Sequence, residues 1–338
     1  MERTVDWDAG VIVAVDQRAL PHEYRMLRLT TADELVDAIQ QLAIRGAPAL
    51  GAAGALGVAQ STHRHRGDEA AVRAEAARLA DARPTAANLA WGVDRALSRL
   101  PEGPEAVLRE ALAVLDEDEQ VNRQASRRAA DLVLRLSERR PLRVLTHCNT
   151  GRLATVAWGT ALGAVRHLAE ARQIEYVLAT ETRPLLQGSR LTAYELDEAG
   201  IPYQVCTDSA APAAVARGLV DCVLVGADRI AANGDVANKI GTYAIALAAA
   251  RHGVPFVVVA PESTVDGSLP DGRGVRIEER AADEVTHFAG QPVAPAGADA
   301  FNPAFEVTPA DLVTAIVTEE RVYSEAAARS MPEAPSVS

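Results

Sequence analysis

The sequence predicts an α/β protein: a doubly wound, mostly parallel sheet domain preceded by a smaller α-rich region with a short sheet of its own. Three observations carry this expectation. From Leu142 onward, short apolar runs alternate with helical stretches, which is the grammar of βαβ units. Each of those runs ends in a cluster of polar side chains, the pattern of a parallel sheet that gathers its chemistry at one edge. Before about position 140 helical spacing dominates, interrupted by two short strand-like runs.

In the first region, residues 11–15 and 25–29 read as strands, and 32–44, 47–65, 69–82, 85–99, 104–115 and 117–138 read as helices. Gly51, Gly54 and Gly57 fall inside a helical stretch, where small residues allow close helix packing; they do not make a phosphate-binding loop. In the second region the strands are 143–146, 174–178, 203–206, 222–225 and 256–259. The expected division is an α-rich domain over 1–140, the sheet domain over 141–323, and a polar, Pro- and Ser-containing tail over 324–338 that reads as disordered.

Composition narrows the function. At 338 residues, with 48% apolar and 24% charged side chains, the chain suits one or two globular domains. No apolar run approaches the roughly 20 residues a bilayer span needs, so no membrane role is expected. The opening residues are acidic where an export signal needs a basic segment, which points to the cytoplasm. A net charge of -12 without a basic cluster argues against nucleic acid as a partner. Cys148, Cys206 and Cys222 form no framework spacing, as expected in a reduced compartment. There is no G-x-G-x-x-G or Walker sequence and no metal-ligand spacing, with His63 and His65 assigned to an arginine-rich loop; neither cofactor nor metal is expected.

The strand ends carry His147-Cys148-Asn149, Thr180-Glu181-Thr182-Arg183, Thr207-Asp208-Ser209, Gly226-Ala227-Asp228-Arg229 and Pro261-Glu262-Ser263. Helix capping explains Asp208 and Ser209, but it does not ask for Cys148, Glu181 or Arg183. Cys148 and Asp228 are each read two ways, as a small buried hydrophobe and a cap, or as a thiol and an acid facing one ligand. Cys206 and Cys222, inside apolar strands, read as core.

Of 34 basic residues, 33 are Arg and only Lys239 is Lys. Arg is a poor substitute where a compact ammonium acts as a point charge, and the neighbours Asn238, Gly241 and Thr242 suit a ligand approach at a helix start. Arg45-Gly46-Ala47-Pro48, and again Arg83-Pro84-Thr85, place an Arg fork before a helix, an arrangement fit for an anion.

Seven segments together closely resemble the methylthioribose-1-phosphate isomerase family: 44–51, Arg83 to Asn88, Thr146-His-Cys-Asn-Thr-Gly151, Glu181 to Pro184 with Gln187-Gly188, 225–230, Asn238-Lys-Ile-Gly241 and Asn302-Pro-Ala-Phe305. The resemblance runs from about residue 10 to 323. Thr150 stands where Ala is more usual, and Ser209-Ala-Ala-Pro212 replaces a turn more typically containing Ser-Met-Ala, a difference that bears on pocket shape and the substrate's C5 substituent. The resemblance implies a Rossmann-like second domain, homodimers, and conversion of 5-methylthioribose 1-phosphate to the corresponding ribulose phosphate in methionine salvage. It further implies that Cys148 and Asp228 are the catalytic pair and that Arg45, Gly46, Ala47, Arg83, Gln187, Asn238 and Lys239 bind the sugar phosphate. Two other readings stand beside it: a related isomerase acting on 5-deoxyribose 1-phosphate or ribose 1,5-bisphosphate, and a noncatalytic sugar-phosphate or nucleotide sensor like the exchange-factor regulatory subunits of the same superfamily.

Overall fold

The computed structural model describes residues 2–83 and 86–324, and these fall into two compact units: one of the described residues up to 123 with 150–159, the other of 124–149 with 160–324. Pro84, Thr85 and the tail from 325 lie outside the described residues; Ser324 closes the last strand.

The first unit begins with an antiparallel sheet of β1 (Val5–Asp8), β2 (Val11–Val15) and β3 (Met26–Leu29), in that order. Four helices follow: α1 (Ala32–Gln40), α2 (Ala47–Arg64), α3 (Glu69–Ala80) and α4 (Ala87–Leu97). A capping box fixes the start of α1, with Thr31 Oγ1 accepting from the Glu34 N–H and the Glu34 carboxylate reaching back. Every residue of α2 from Ala49 to Thr62 is buried. Its small-residue face makes this possible: a Cβ on Gly92 of α4 would sit 1.9 Å from the Gly51 carbonyl, and one on Gly57 2.8 Å from Leu79 of α3. The glycine spacing is a packing device, as expected. His63 lies in the last turn of this helix, not in a loop, while His65 follows its end.

Residues 104–115 and 117–138, expected as two helices, form one: α5 (Pro104–Leu136), 33 residues long. The acidic run Asp116-Glu117-Asp118-Glu119 contains no Gly or Pro, so nothing interrupts the backbone ladder.

The second unit is built on seven strands: β4 (Leu142–Thr146), β5 (Ile174–Thr180), β6 (Tyr203–Cys206), β7 (Cys222–Val225), then, beyond the intervening β8 (Arg229–Ala231) and β9 (Val236–Lys239), β10 (Phe256–Val259), and finally β15 (Ala315–Val317) and β16 (Val322–Ser324). Their order is β16-β15-β10-β7-β4-β5-β6, all parallel except β16. Helices α6 (Ala161–Glu170), α7 (Ala193–Glu198), α8 (Ala210–Ala216) and α9 (Thr242–His252) connect them. Alternate side chains of one strand serve two cores. Cys222 and Leu224 pack with α6 and the end of α5, while Val223 and Val225 pack with α8 and α9. Burial on both faces is why these strands read as unbroken apolar runs.

A second sheet escaped the sequence reading. Its order is β11 (Val265–Asp266), β8, β9 and β14 (Phe305–Thr308). The chain also forms α10 (Asp283–Thr286) and a hairpin of β12 (His287–Phe288) with β13 (Gln291–Pro292). Strands of two to four residues are too short to show a period of two.

Candidate functional site

The chain leaves β4 to build β5 and β6 on one side and returns to build β7, β10 and β15 on the other. The order therefore reverses between β4 and β7, and in such sheets ligands bind at the carboxyl ends flanking that reversal. Cys148 lies two residues beyond β4 and Asp228 three beyond β7, and the two strands are hydrogen-bonded neighbours with Thr146 opposite Leu224. The fold thus brings this pair to adjacent strand ends.

Cys148 is 9% exposed and holds a left-handed backbone at φ 62, unusual for a residue with a Cβ. Two threonines secure it. The Cys148 N–H donates to Thr182 Oγ1 at 2.9 Å, and the Thr192 hydroxyl donates to the Cys148 carbonyl at 2.7 Å. Asn149 next to it is committed to structure, its amide donating to the buried Glu195 carboxylate at 2.8 Å. His147 is fully buried between Thr180 Oγ1 at 2.6 Å and the Ile240 carbonyl at 2.7 Å, and burial lowers its pKa, favouring the neutral ring.

Asp208 is not a helix cap. Its carboxylate accepts the N–H groups of Thr182 at 2.8 Å and Arg183 at 2.7 Å, tying the turn after β5 to the end of β6. Arg183, singled out because capping does not require it, donates to the Pro184 and Glu284 carbonyls and lies over the Phe288 ring. Gln187 follows in the same loop. It is 6% exposed, and its Oε1 has no hydrogen-bond partner among the described residues. A buried amide oxygen left in this state is unfavourable unless water or a ligand donates to it.

Asn238 and Lys239 sit on β9, not at a helix start, paired with Glu306 and Phe305 of β14. The Lys239 ammonium donates to the Ala304 carbonyl at 3.0 Å and lies 4.2 Å from the Phe305 ring centre. Asn238 is buried, its amide donating to Thr242 Oγ1 at 3.1 Å. Beyond them the Glu306 carboxylate accepts the N–H groups of Gly241 and Tyr243, fixing the turn into α9.

The other cysteines divide. Cys222 is wholly buried, which pushes its thiol to about 12. Cys206, expected in the core, is only partly covered because β6 is the edge strand; burial and then the nearby Asp208 and Glu181 raise its thiol to about 11. Neither favours a thiolate. Among the described residues no group of three His, Cys, Asp or Glu is placed to hold a metal ion.

In the first unit, Arg45 and Gly46 precede α2 and Ala47 opens it, with Gly46 at φ 95. A Cβ on Gly46 would meet the Ala154 carbonyl oxygen at 2.2 Å, so only glycine fits there. The segment 150–159 that supplies Ala154 is fastened within this unit. Its carbonyls at Arg152 and Leu153 accept from Thr4 Oγ1 and Gln17 Nε2, each at 2.7 Å, and its Val156 N–H donates to the Asp118 carboxylate at 2.7 Å. Arg83 is half-buried ahead of α4.

The threonines 180, 182 and 192 and the acid at 208 were not found as a set in the sequence. Thr180 and Thr182 were visible at a strand end, but their partners His147, Cys148 and Asp208 are 26 to 34 residues away, and Thr192 is 44 from Cys148.

Residues 43–323 match the model of the Initiation factor 2 subunit family. A Nocardia farcinica protein described as a probable bifunctional methylthioribose-1-phosphate isomerase/methylthioribulose-1-phosphate dehydratase is 65% identical over 95% of this chain. The chain spans 59% of that protein's length. The methylthioribose-1-phosphate isomerase of Anaeromyxobacter dehalogenans is 56% identical, over 91% of this chain and 89% of its own. The solved 5-methylthioribose 1-phosphate isomerase of Pyrococcus horikoshii superposes with a TM-score of 0.89 at 35% identity, covering 97% of this chain and 94% of that one.

Proposed function

From the chain's membership of the Initiation factor 2 subunit family, we propose that it is the catalytic kind of member: an aldose–ketose isomerase converting 5-methylthioribose 1-phosphate to 5-methylthioribulose 1-phosphate in methionine salvage. The observation that carries the reading is the arrival of Cys148 and Asp228 at adjacent strand ends where the sheet order reverses, in a chain similar to isomerases along nearly its full length. A noncatalytic subunit has no need of a thiol held in a costly backbone conformation.

The substrate's anomeric carbon carries phosphate, so the ring does not open as a free hemiacetal does. Asp228, protonated, gives its proton to the ring oxygen as the C1–O4 bond breaks, leaving a cation at C1. One route then has the Cys148 thiolate take the C2 proton, forming an enediol phosphate, and return it to C1. The other moves the C2 hydrogen to C1 as hydride. Either route ends as the C2 hydroxyl loses its proton to the Asp228 carboxylate, so Asp228 is restored and no external oxidant is consumed. Gln187 Oε1 accepts a sugar hydroxyl, Asn238 orients hydroxyls and Lys239 neutralises negative charge on the substrate. For Arg45, Gly46, Ala47 and Arg83 the proposed role is phosphate binding, supported by the helix start at Ala47 and by the two guanidinium groups. The protein is further proposed to work as a homodimer in the cytoplasm, which sedimentation and fractionation test.

The experiment is turnover of methylthioribose 1-phosphate by the purified chain without added metal or nucleotide. Formation of the ketose phosphate is expected. In deuterium oxide the proton route leaves deuterium at C1 unless the thiol exchanges slowly, and the hydride route leaves none. Absence of turnover, with nucleotide or sugar-phosphate binding retained, supports the sensor reading instead.

A further inference from the structure

His147 takes no part in the reaction as written, yet it is among the most confined side chains of the second unit. It is fully buried, and Gly241 presses on the ring so closely that a Cβ there would lie 2.9 Å from its Cε1. The ring's two hydrogen bonds fix its proton. Nε2 lies 2.7 Å from the Ile240 carbonyl oxygen, which can only accept, so Nε2 carries the hydrogen. In the neutral ring Nδ1 must then accept, and its partner at 2.6 Å is the Thr180 hydroxyl, which donates.

From there the donors follow one another. Thr180 Oγ1, its proton spent on Nδ1, is left to accept from the Thr182 hydroxyl at 3.1 Å, nearer to that hydroxyl than the Thr180 carbonyl oxygen at 3.3 Å, and Thr182 Oγ1 accepts the Cys148 N–H at 2.9 Å. Four hydrogen bonds run in one sense, from the Cys148 backbone through two threonines and the imidazole to the Ile240 carbonyl. One end is the left-handed backbone of Cys148, at φ 62, which persists only if its surroundings hold it. The other end is the residue after Lys239, whose following N–H, that of Gly241, is gripped by Glu306 at 2.6 Å. Reversing any member breaks the sequence, because the amide at one end can only donate and the carbonyl at the other can only accept.

We infer that His147, as the neutral Nε2–H tautomer, is a positioning residue that sets the Cys148 backbone against the Asn238–Lys239 segment through Thr180 and Thr182. The inference rests on the isomerase reading above. A histidine that merely fills the core would need neither the tautomer nor the threonine hydroxyls.

The test uses the full-length protein and three variants, His147→Gln, Thr180→Val and Thr180→Ser. With histidine labelled in 15N, the imidazole signal absent from His147→Gln is expected to show the neutral Nε2–H pattern between about pH 6 and 8. Thr180→Val, which keeps the shape and removes the hydroxyl, is expected to lower kcat roughly 10- to 100-fold, the scale of a small misplacement of reacting groups, with KM within about threefold. Thr180→Ser restores most of the rate. An Nδ1–H tautomer, an imidazolium, or equal rates for the Val and Ser variants would overturn the inference while leaving wild-type turnover intact. No turnover by the wild type would instead overturn the isomerase reading, and this role with it.

Discussion

Replacing Asp118 by Asn is expected to change how stability depends on pH, by an amount the structure sets. Asp118 lies on α5, and its carboxylate accepts the Val156 N–H at 2.7 Å, anchoring the segment that follows Cys148, Asn149 and Thr150. Burial dominates its titration, and hydrogen bonds from Val156, Asn122 and Ala157 only partly offset it, so its pKa rises from 3.8 to about 7. Because the folded value lies above the unfolded one, the folded state keeps a proton that the unfolded chain releases across this interval. The contribution is fully present below about pH 4 and is lost as pH rises through about 7. At 1.36 kcal/mol per unit, a shift of about three units amounts to a ceiling on the order of 4 kcal/mol. Asn is neutral at every pH and still offers an oxygen to Val156. Urea denaturation of both proteins at several pH values from 4 to 8 reads the difference. Near pH 4 the two should match within about 1 kcal/mol, and above pH 7 the Asn variant should be the more stable by up to the ceiling. A difference that stays flat across the range refutes the reasoning, since it would mean that Asp118 ionises in the folded state as it does in the unfolded one.

Three further outcomes follow from the site. Cys148→Ser and Asp228→Asn should each nearly abolish turnover, and the double variant should be barely worse than the worse single one, because members of one catalytic unit are not additive; near-native rates in both singles remove the proposed site. Lys239→Ala should lower kcat/KM by roughly 10- to 150-fold, the loss of one charge-assisted contact of about 1.5–3 kcal/mol, with an unchanged far-ultraviolet spectrum; an unaltered kcat/KM defeats its assignment to the substrate. Gly46→Ala should destabilise the first unit by about 2 kcal/mol or more, since the new carbon would lie 2.2 Å from the Ala154 carbonyl oxygen in a backbone at φ 95; a melting temperature unchanged within a degree would show that the contact relaxes freely.

By itself the sequence determined what local chemistry determines. Strands such as Cys222–Val225 announce themselves because both their faces are buried, leaving four consecutive apolar residues followed by a polar turn. The glycines of α2 were legible as packing residues because their spacing follows the helix. Cys148 stood out because helix capping does not ask for it and Lys239 because it is the one Lys among 34 basic residues, while Asp228, which a cap also explains, was singled out by the family resemblance. The tertiary structure alone decided which strand ends meet: that β4 and β7 are neighbours depends on the chain's return after β6, which no window of sequence contains. It also turned Asp208 from a cap into the clamp on Thr182 and Arg183, and moved Lys239 from a helix start onto a strand opposite Phe305. These partners lie 25 or more residues apart in sequence, and a hydrogen bond has no signature in the residues it skips. Residue types and periodicity fix which groups want partners; only the folded chain assigns them.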